Sequence, residues 1–281
     1  MLVHANFAKS AGLLVDVAYR SPSDPYVKAL EPGYDGWTHF FEPLRAPTGA
    51  ALLQLDCWAA ARAWESNGNY PHVASKEAVN GNWYNATLIH RRQRAELVRQ
   101  LPIVPRRVYS EAARAFWNEH FATDTAVLGV HLRGTDKVVM STRPVGVQSY
   151  MPLIRAYLCH EPRAALFVAT DDARMLRDLR AALPSTKIVA RELPRSESSR
   201  NPVLDGGNQS AAATAGMDVL LDTLLLSRCH FLLKCASMVS EAATYFSPAL
   251  IEDSYDFHVM GHHPKPTWIH ACSRSKAAGA R

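Results

Sequence analysis

The stretch GVHLRGTDK, residues 129–137, places a histidine, an arginine, a threonine, an aspartate and a lysine directly behind an apolar run. Arg133 offers a planar fork of donors that suits a pair of phosphate oxygens. Lys137 adds a second positive charge, and Thr135 and the backbone NH of Gly134 add neutral donors. Gly134 also lets main chain come close to a ligand. Together these residues make a diphosphate cradle. On spacing alone the same loop reads equally as an ordinary solvated turn, and His131 as a satisfied core histidine.

A second set of residues lies in DVLLDTLLLSRCHFLLKCASM, residues 218–238. KCAS leads straight into a helix beginning at Met238, and the free NH groups of a helix N-terminus favour an anion. Ser237 there is either a donor to that anion or a plain helix cap. Asp222 stands in a helix that is otherwise very apolar, where a carboxylate is costly unless partnered. It either accepts two hydrogen bonds from a guanine edge or faces solvent.

These groups need a scaffold, and the apolar pattern supplies one. Ala126–Leu132, Ala165–Thr170, Lys187–Ala190 and Phe231–Lys234 read as strands. Helices alternate with them: Arg106–Phe121 with Val108, Ala112 and Phe116 on one face, one capped by Ser149 and running through Leu158, Asp172–Leu183 capped by Asp171, Met217–Ser227, and Met238–Phe246. Residues 191–214 read as a polar loop. Continuous apolar strands alternating with helices predict a parallel sheet covered on both faces. Ligands of such sheets bind beyond the carboxyl ends of the strands. Arg133 follows the first of these strands and Ser237 the last. Before residue 115 the pattern is less regular: Leu13–Val17 reads as a buried strand, residues 20–50 as loop, and Thr87–Gln100 as a charged helix.

Bulk properties narrow the function classes. With 281 residues, 48% of them hydrophobic and 20% charged, the chain can bury a core of one large or two ordinary domains. The net charge of +5 mildly favours anionic ligands, but the basic residues are spread out and form no nucleic-acid arm. No stretch is long and apolar enough to span a membrane. Five scattered cysteines without a CxxC pair argue against a zinc site or a dense disulfide framework. The sequons at Asn85 and Asn208 permit a secretory location without establishing it. Walker, Gly-x-Gly-x-x-Gly and Gly-x-Ser-x-Gly motifs are absent, so a dinucleotide enzyme or serine hydrolase has no support. The lack of an Asp-x-Asp triplet disfavours a metal-dependent sugar transferase. His262-His263 reads as a loop pair.

GVHLRGTDK, FVATDD (167–172) and DVLLDTLLLSRCHFLLKCAS occur in that order and resemble the three motifs of GDP-fucosyltransferases of the α1,6 and nodulation type. The likeness is greatest to the branch whose first motif reads His-x-Arg-Gly-Thr-Asp-Lys. It covers roughly residues 124–250, and GLLVDVAYRSPSDPYV with WTHFFEP extends it weakly into the N-terminal half.

The resemblance implies an α/β fold of GT-B type, two Rossmann-like domains facing a cleft. The N-terminal acceptor-side domain would span 1–121, the GDP-sugar-binding domain 122–255, and a tail 256–281. It implies that Arg133 binds the β-phosphate and stabilises leaving GDP, that His131 and Asp222 contact the nucleoside, and that Gly134, Thr135, Ser237 and the backbone at Met238 hold phosphate. It further implies metal-independent, inverting transfer of fucose from GDP-fucose to a glycan or glycoprotein acceptor. In a eukaryote it implies a Golgi or ER lumen location. Lys137 and Asp136 are candidates for the reaction centre beside Arg133. Three departures stand out. Gly134 occupies the place of a second arginine found in the α1,6 enzymes. Ser141 occupies that of a glutamate thought to act in base catalysis, leaving Asp136, Asp16 and Glu42 as candidate bases. The family also usually has a strand and a Gly/Asn loop ahead of the position matching Met1, so the N-terminal domain is expected to be incomplete. A catalytically inactive nucleotide-sugar- or glycan-binding relative is the alternative.

Overall fold

The computed structural model describes residues 14–18, 39–42, 52–56, 91–92, 95–96, 98–99, 103–124, 126–134, 145–198, 209–235, 237–258 and 266–270, with backbone alone at 14–18, 52–56 and 209–213. The described strands form two parallel sheets. In the smaller, β1 (Leu14–Ala18) pairs with β2 (Leu52–Asp56), Leu14 opposite Leu52. The larger is built from β3 (Val127–Leu132), β4 (Ala165–Thr170), β5 (Ile188–Val189), β6 (Phe231–Lys234) and β7 (Ser254–Asp256), in the order β5-β4-β3-β6-β7.

Every residue of β3, β4 and β6 is buried, which explains why these strands read as unbroken apolar runs. Side chains alternate between two cores. Leu128, Val130 and Leu132 pack with Leu166, Leu233 and the helix α2 (Val147–His160). Val127, Phe167 and Leu232 pack on the other face with α1 (Arg107–Phe121), α4 (Gln209–Leu226) and α5 (Met238–Phe246). Full burial of each large aliphatic side chain stabilises by about 1.5–3 kcal/mol, so the central strands anchor the unit. A further helix, α3 (Ala173–Ala182), follows β4, with the Asp172 carboxylate capping it by accepting from the NH groups of Arg174 and Met175.

Several local expectations shift. The cap of α3 is Asp172 rather than Asp171. Helix α2 begins at Val147 after Gly146, so Ser149 lies inside its first turn and its NH bonds the Gly146 carbonyl. The buried stripe of α1 is Tyr109, Ala113 and Phe121; Val108 and Ala112 are exposed, because the stripe is set one residue later than the apolar count suggests. Helix α4 starts at Gln209, within the stretch expected to be loop: its alanine-rich first turns favour helix despite the polar residues around them. Strands β2 and β7 were not anticipated. Of the expected charged helix at 87–100, residues 91, 92, 95, 96, 98 and 99 are helical. His262-His263 and the tail beyond His270 lie outside the described residues. Cys159 is disulfide-bonded, and Cys229 and Cys235 are free and buried. Among the described residues no helix is long and apolar enough to cross a membrane, and no three His, Cys, Asp or Glu residues group as metal ligands.

Candidate functional site

The strand order changes direction between β3 and β6, and in open parallel sheets a crevice forms beyond the carboxyl ends of strands at such a point. The chain leaves β3 into Arg133 and leaves β6 into Cys235, Ser237 and α5. Cys235 lies beside both the Tyr150 hydroxyl and the Arg133 backbone, which brings the two strand exits together. Tyr150 also donates to the His131 carbonyl at 2.9 Å.

Arg133 stands at this edge with 21% of its side chain exposed, and its Nη1 reaches Asp171 Oδ2 at 2.9 Å. The other Asp171 oxygen accepts from the Gly134 NH at 3.0 Å. Asp171 therefore fixes the direction of both residues. Two expectations for Gly134 change accordingly. Its NH is engaged by Asp171, and its close approach is to protein: a Cβ there would lie 2.4 Å from Asp172 Cβ. Thr135, Asp136 and Lys137 lie outside the described residues, as do the side chain of Asp16 and residue Ser141. Glu42 is described, half-buried, with its NH bonded to the Val104 carbonyl.

Helix α5 has Ser237 at its N-cap, but the Ser237 side chain makes no capping bond. The first NH groups of α5 keep their anion-seeking character, and the buried hydroxyl is not spent on the helix. Met238 begins the helix and is 45% exposed.

His131 is the penultimate residue of β3 and only 4% exposed. The Val130–Leu233 pairing places it, one step on, alongside Lys234. Burial, then the charges of Arg133 and Lys234, push its pKa down to about 3, so the ring is neutral at ordinary pH. Its Nδ1 has no hydrogen-bond partner among the described residues. A buried imidazole with an unspent nitrogen is not the satisfied core histidine of the bland reading.

Asp222 does not face solvent. It sits under Arg191, whose Nη1 is 3.5 Å from its Oδ1 and whose Nη2 bonds Asp218 at 2.7 Å. Arg195 braces the same corner by donating to the carbonyls of Thr170, Leu193 and Arg191. Burial raises the Asp222 pKa to about 6 against the pull of Arg191 and Arg195. The sequence marks Asp171 only as a helix cap and gives Arg191 no role. Two successive carboxylates directly after a buried strand, and arginines just past the next one, were the available signals.

No family model matches this chain, and no curated protein matches it. Solved structures do. The α-1,6-fucosyltransferase NodZ soaked with GDP-fucose aligns with a TM-score of 0.55 at 17% identity, over 88% of this chain and 87% of that one. The fucosyltransferase NodZ from Bradyrhizobium aligns with a TM-score of 0.55 at 19% identity, over 94% and 93%. The mixed α/β chain described here thus shares the fold of a bacterial fucosyltransferase over most of its length.

Proposed function

We propose that this chain is a fucosyltransferase whose donor is GDP-fucose. The observation that carries this reading is the arrangement at the β3/β6 crevice. Arg133 is held by Asp171, the N-terminus of α5 has no side-chain cap, and His131 keeps an unspent nitrogen, all in a fold shared with NodZ. In this reading the β-phosphate sits between Arg133 and the α5 backbone at Ser237 and Met238. As the fucose–phosphate bond breaks, negative charge grows on the diphosphate. A fixed guanidinium and aligned NH groups meet it without reorganising. Asp222 and His131 face the nucleoside. Thr135 and Lys137 add donors, and Asp136 is a candidate to take the acceptor proton as the acceptor hydroxyl attacks the anomeric carbon from the opposite face. The transfer is inverting and needs no metal, and the acceptor is a glycan or glycoprotein. Residues 122–255 form most of the donor domain and 1–121 the acceptor side of a GT-B cleft; the stretch expected as a tail at 256–281 contributes to that domain too, since Asp256 ends β7 and Trp268 packs against Tyr157 and Phe231.

Calorimetric titration with GDP, GDP-fucose and UDP in EDTA tests the donor. GDP species should bind and UDP should not; equal binding of all three, or of none, would overturn the reading. Arg133→Ala should lower transfer by about 10²–10³-fold, as expected for a lost transition-state contact. Its thermal midpoint should stay near wild type, because Arg133 stands at the sheet edge. Near-normal transfer would remove Arg133 from the site. Binding of GDP-fucose without turnover over a broad acceptor screen would favour the inactive relative.

A further inference from the structure

Beneath the N-terminus of α5 lies a cluster of charges that the donor reading does not use. Arg91 Nε donates to both oxygens of Glu241 at 2.9 and 3.1 Å, and its Nη2 donates to Asp256 Oδ2 at 2.7 Å. Lys234 Nζ donates to Glu241 Oε2 and Asp256 Oδ2, both at 2.8 Å. The Tyr245 hydroxyl adds a bond to Glu241 Oε1 at 3.1 Å, and the His258 NH one to Asp256 Oδ1 at 2.9 Å. All four charged side chains are 5% exposed or less. Two cations and two anions leave the cluster neutral.

Such a cluster is a poor way to gain stability. Desolvating an ion costs several kcal/mol, and an apolar replacement of the same volume is often as stable or more so. Its placement is more informative. Lys234 ends β6, and Glu241 lies in the first turn of α5. The carboxylate therefore sits just under the backbone NH groups that would receive a diphosphate. A bare carboxylate there would oppose an anion through a poorly screened interior. Arg91 and Lys234 cancel it.

Resting on the donor-site reading, we propose that this cluster sets the electrostatic potential at the α5 N-terminus, with Arg91 and Lys234 masking Glu241 so that the anion site stays attractive. Arg91 is then a positioning residue of the donor site, acting through Glu241 from a helical stretch in the N-terminal half of the chain.

The test is calorimetric titration with GDP and with inorganic pyrophosphate of four proteins: wild type, Arg91→Met, Glu241→Gln and the double variant. The substitutions leave the cluster at minus one, plus one and zero charge. A change of one buried charge near the site should weaken GDP binding by about fivefold in Arg91→Met and leave it equal or tighter in Glu241→Gln. The double variant should return to within about twofold of wild type, since its cluster is neutral again. A brace that matters only for shape predicts instead that all three variants weaken and that the double is weakest, and that result would overturn the proposal. Thermal melts report which variants fold. If Glu241→Gln does not, the rescue of Arg91→Met by the second substitution carries the test. If neither single variant folds, loss of binding in the folded double is the overturning result. Wild-type protein that binds neither GDP nor pyrophosphate would sink the donor-site reading and this inference with it. Wild-type binding with variants that all weaken alike would sink the inference alone.

Discussion

The His131→Gln substitution should remove a specific portion of the protein's acid sensitivity. In the folded chain the ring titrates at about 3, against the ordinary 6.5, because it is buried and lies near Arg133 and Lys234. Below pH 6.5 the unfolded chain therefore takes up a proton that the folded chain refuses. The associated stability is complete above 6.5 and drains away as pH falls toward 3, at about 1.4 kcal/mol per pH unit. By pH 5 the loss amounts to about 2 kcal/mol from this residue alone. Asp222 works in the opposite sense. Its pKa is raised to about 6, so it contributes stability as pH falls through the same window, and wild-type stability by itself will look deceptively flat. The difference between wild type and His131→Gln isolates the histidine, whatever the variant's absolute stability. Urea unfolding at pH 7.5, 6, 5 and 4.5 is the assay. With a slope of about 2–3 kcal/mol per molar urea, the gap between the two midpoints should change by about 0.7–1 M between pH 7.5 and 5. A gap that does not vary with pH would mean that His131 is solvated or paired in solution, and the argument for an unspent nitrogen at the crevice would fail with it.

Asp222→Asn should flatten the pH dependence of GDP binding. If the wild-type carboxylate accepts from the base, affinity should rise about tenfold from pH 5 toward neutrality as Asp222 ionises near 6 among Arg191, Arg195 and Asp218. Comparing the two proteins cancels the nucleotide's own titration, and identical profiles would remove Asp222 from the base site. Gly134→Ala should lower thermal stability by about 1–3 kcal/mol and weaken GDP binding together, since the new methyl meets the Asp172 Cβ at 2.4 Å beside the α3 cap. An unperturbed melt would show that the loop after β3 can shift freely. Acid should also reach the charge cluster. Burial alone would raise the Asp256 pKa, but Lys234, the His258 NH and Arg91 bring it down to about 2, so its share of stability is lost only as pH falls from the ordinary carboxylate range toward 2. Asp256→Asn should remove that late step from an acid-unfolding curve and lower stability by a roughly constant amount above pH 5, where the wild-type contribution is complete.

The fold was legible in the sequence where burial is complete. β4, β6 and α5 fall where the apolar runs put them, because a strand covered on both faces leaves no polar alternation to confuse its limits. The placement of Arg133 and Ser237 at the sheet edge was legible for the same reason, since each follows such a strand. What the sequence hid was who partners whom. Asp171 reads as a cap by its position before a helix, yet Asp172 takes that role, and the freed carboxylate turns back to Arg133 and Gly134. Glu241 looks like a surface residue of a short helix. Its burial is visible only once Arg91, 150 residues away, is seen to meet it. β7, three residues long, is defined by pairing with β6 rather than by any pattern of its own.

The place of β3 at the middle of the sheet also has a bearing on how the chain is made. β3 and β4 follow one another closely and can pair as soon as both have emerged. The other edge of β3 must wait for β6, as the bond from the Val127 NH to His230, 103 residues later, shows. At about 5–20 residues per second, synthesis leaves that buried apolar edge without its neighbour for about 5–20 s. The interval falls on the same edge that later forms one wall of the crevice. A nascent chain is therefore most exposed to mispairing at the spot where the finished protein would hold its ligand, and chaperone dependence should be set by the delay between β3 and β6.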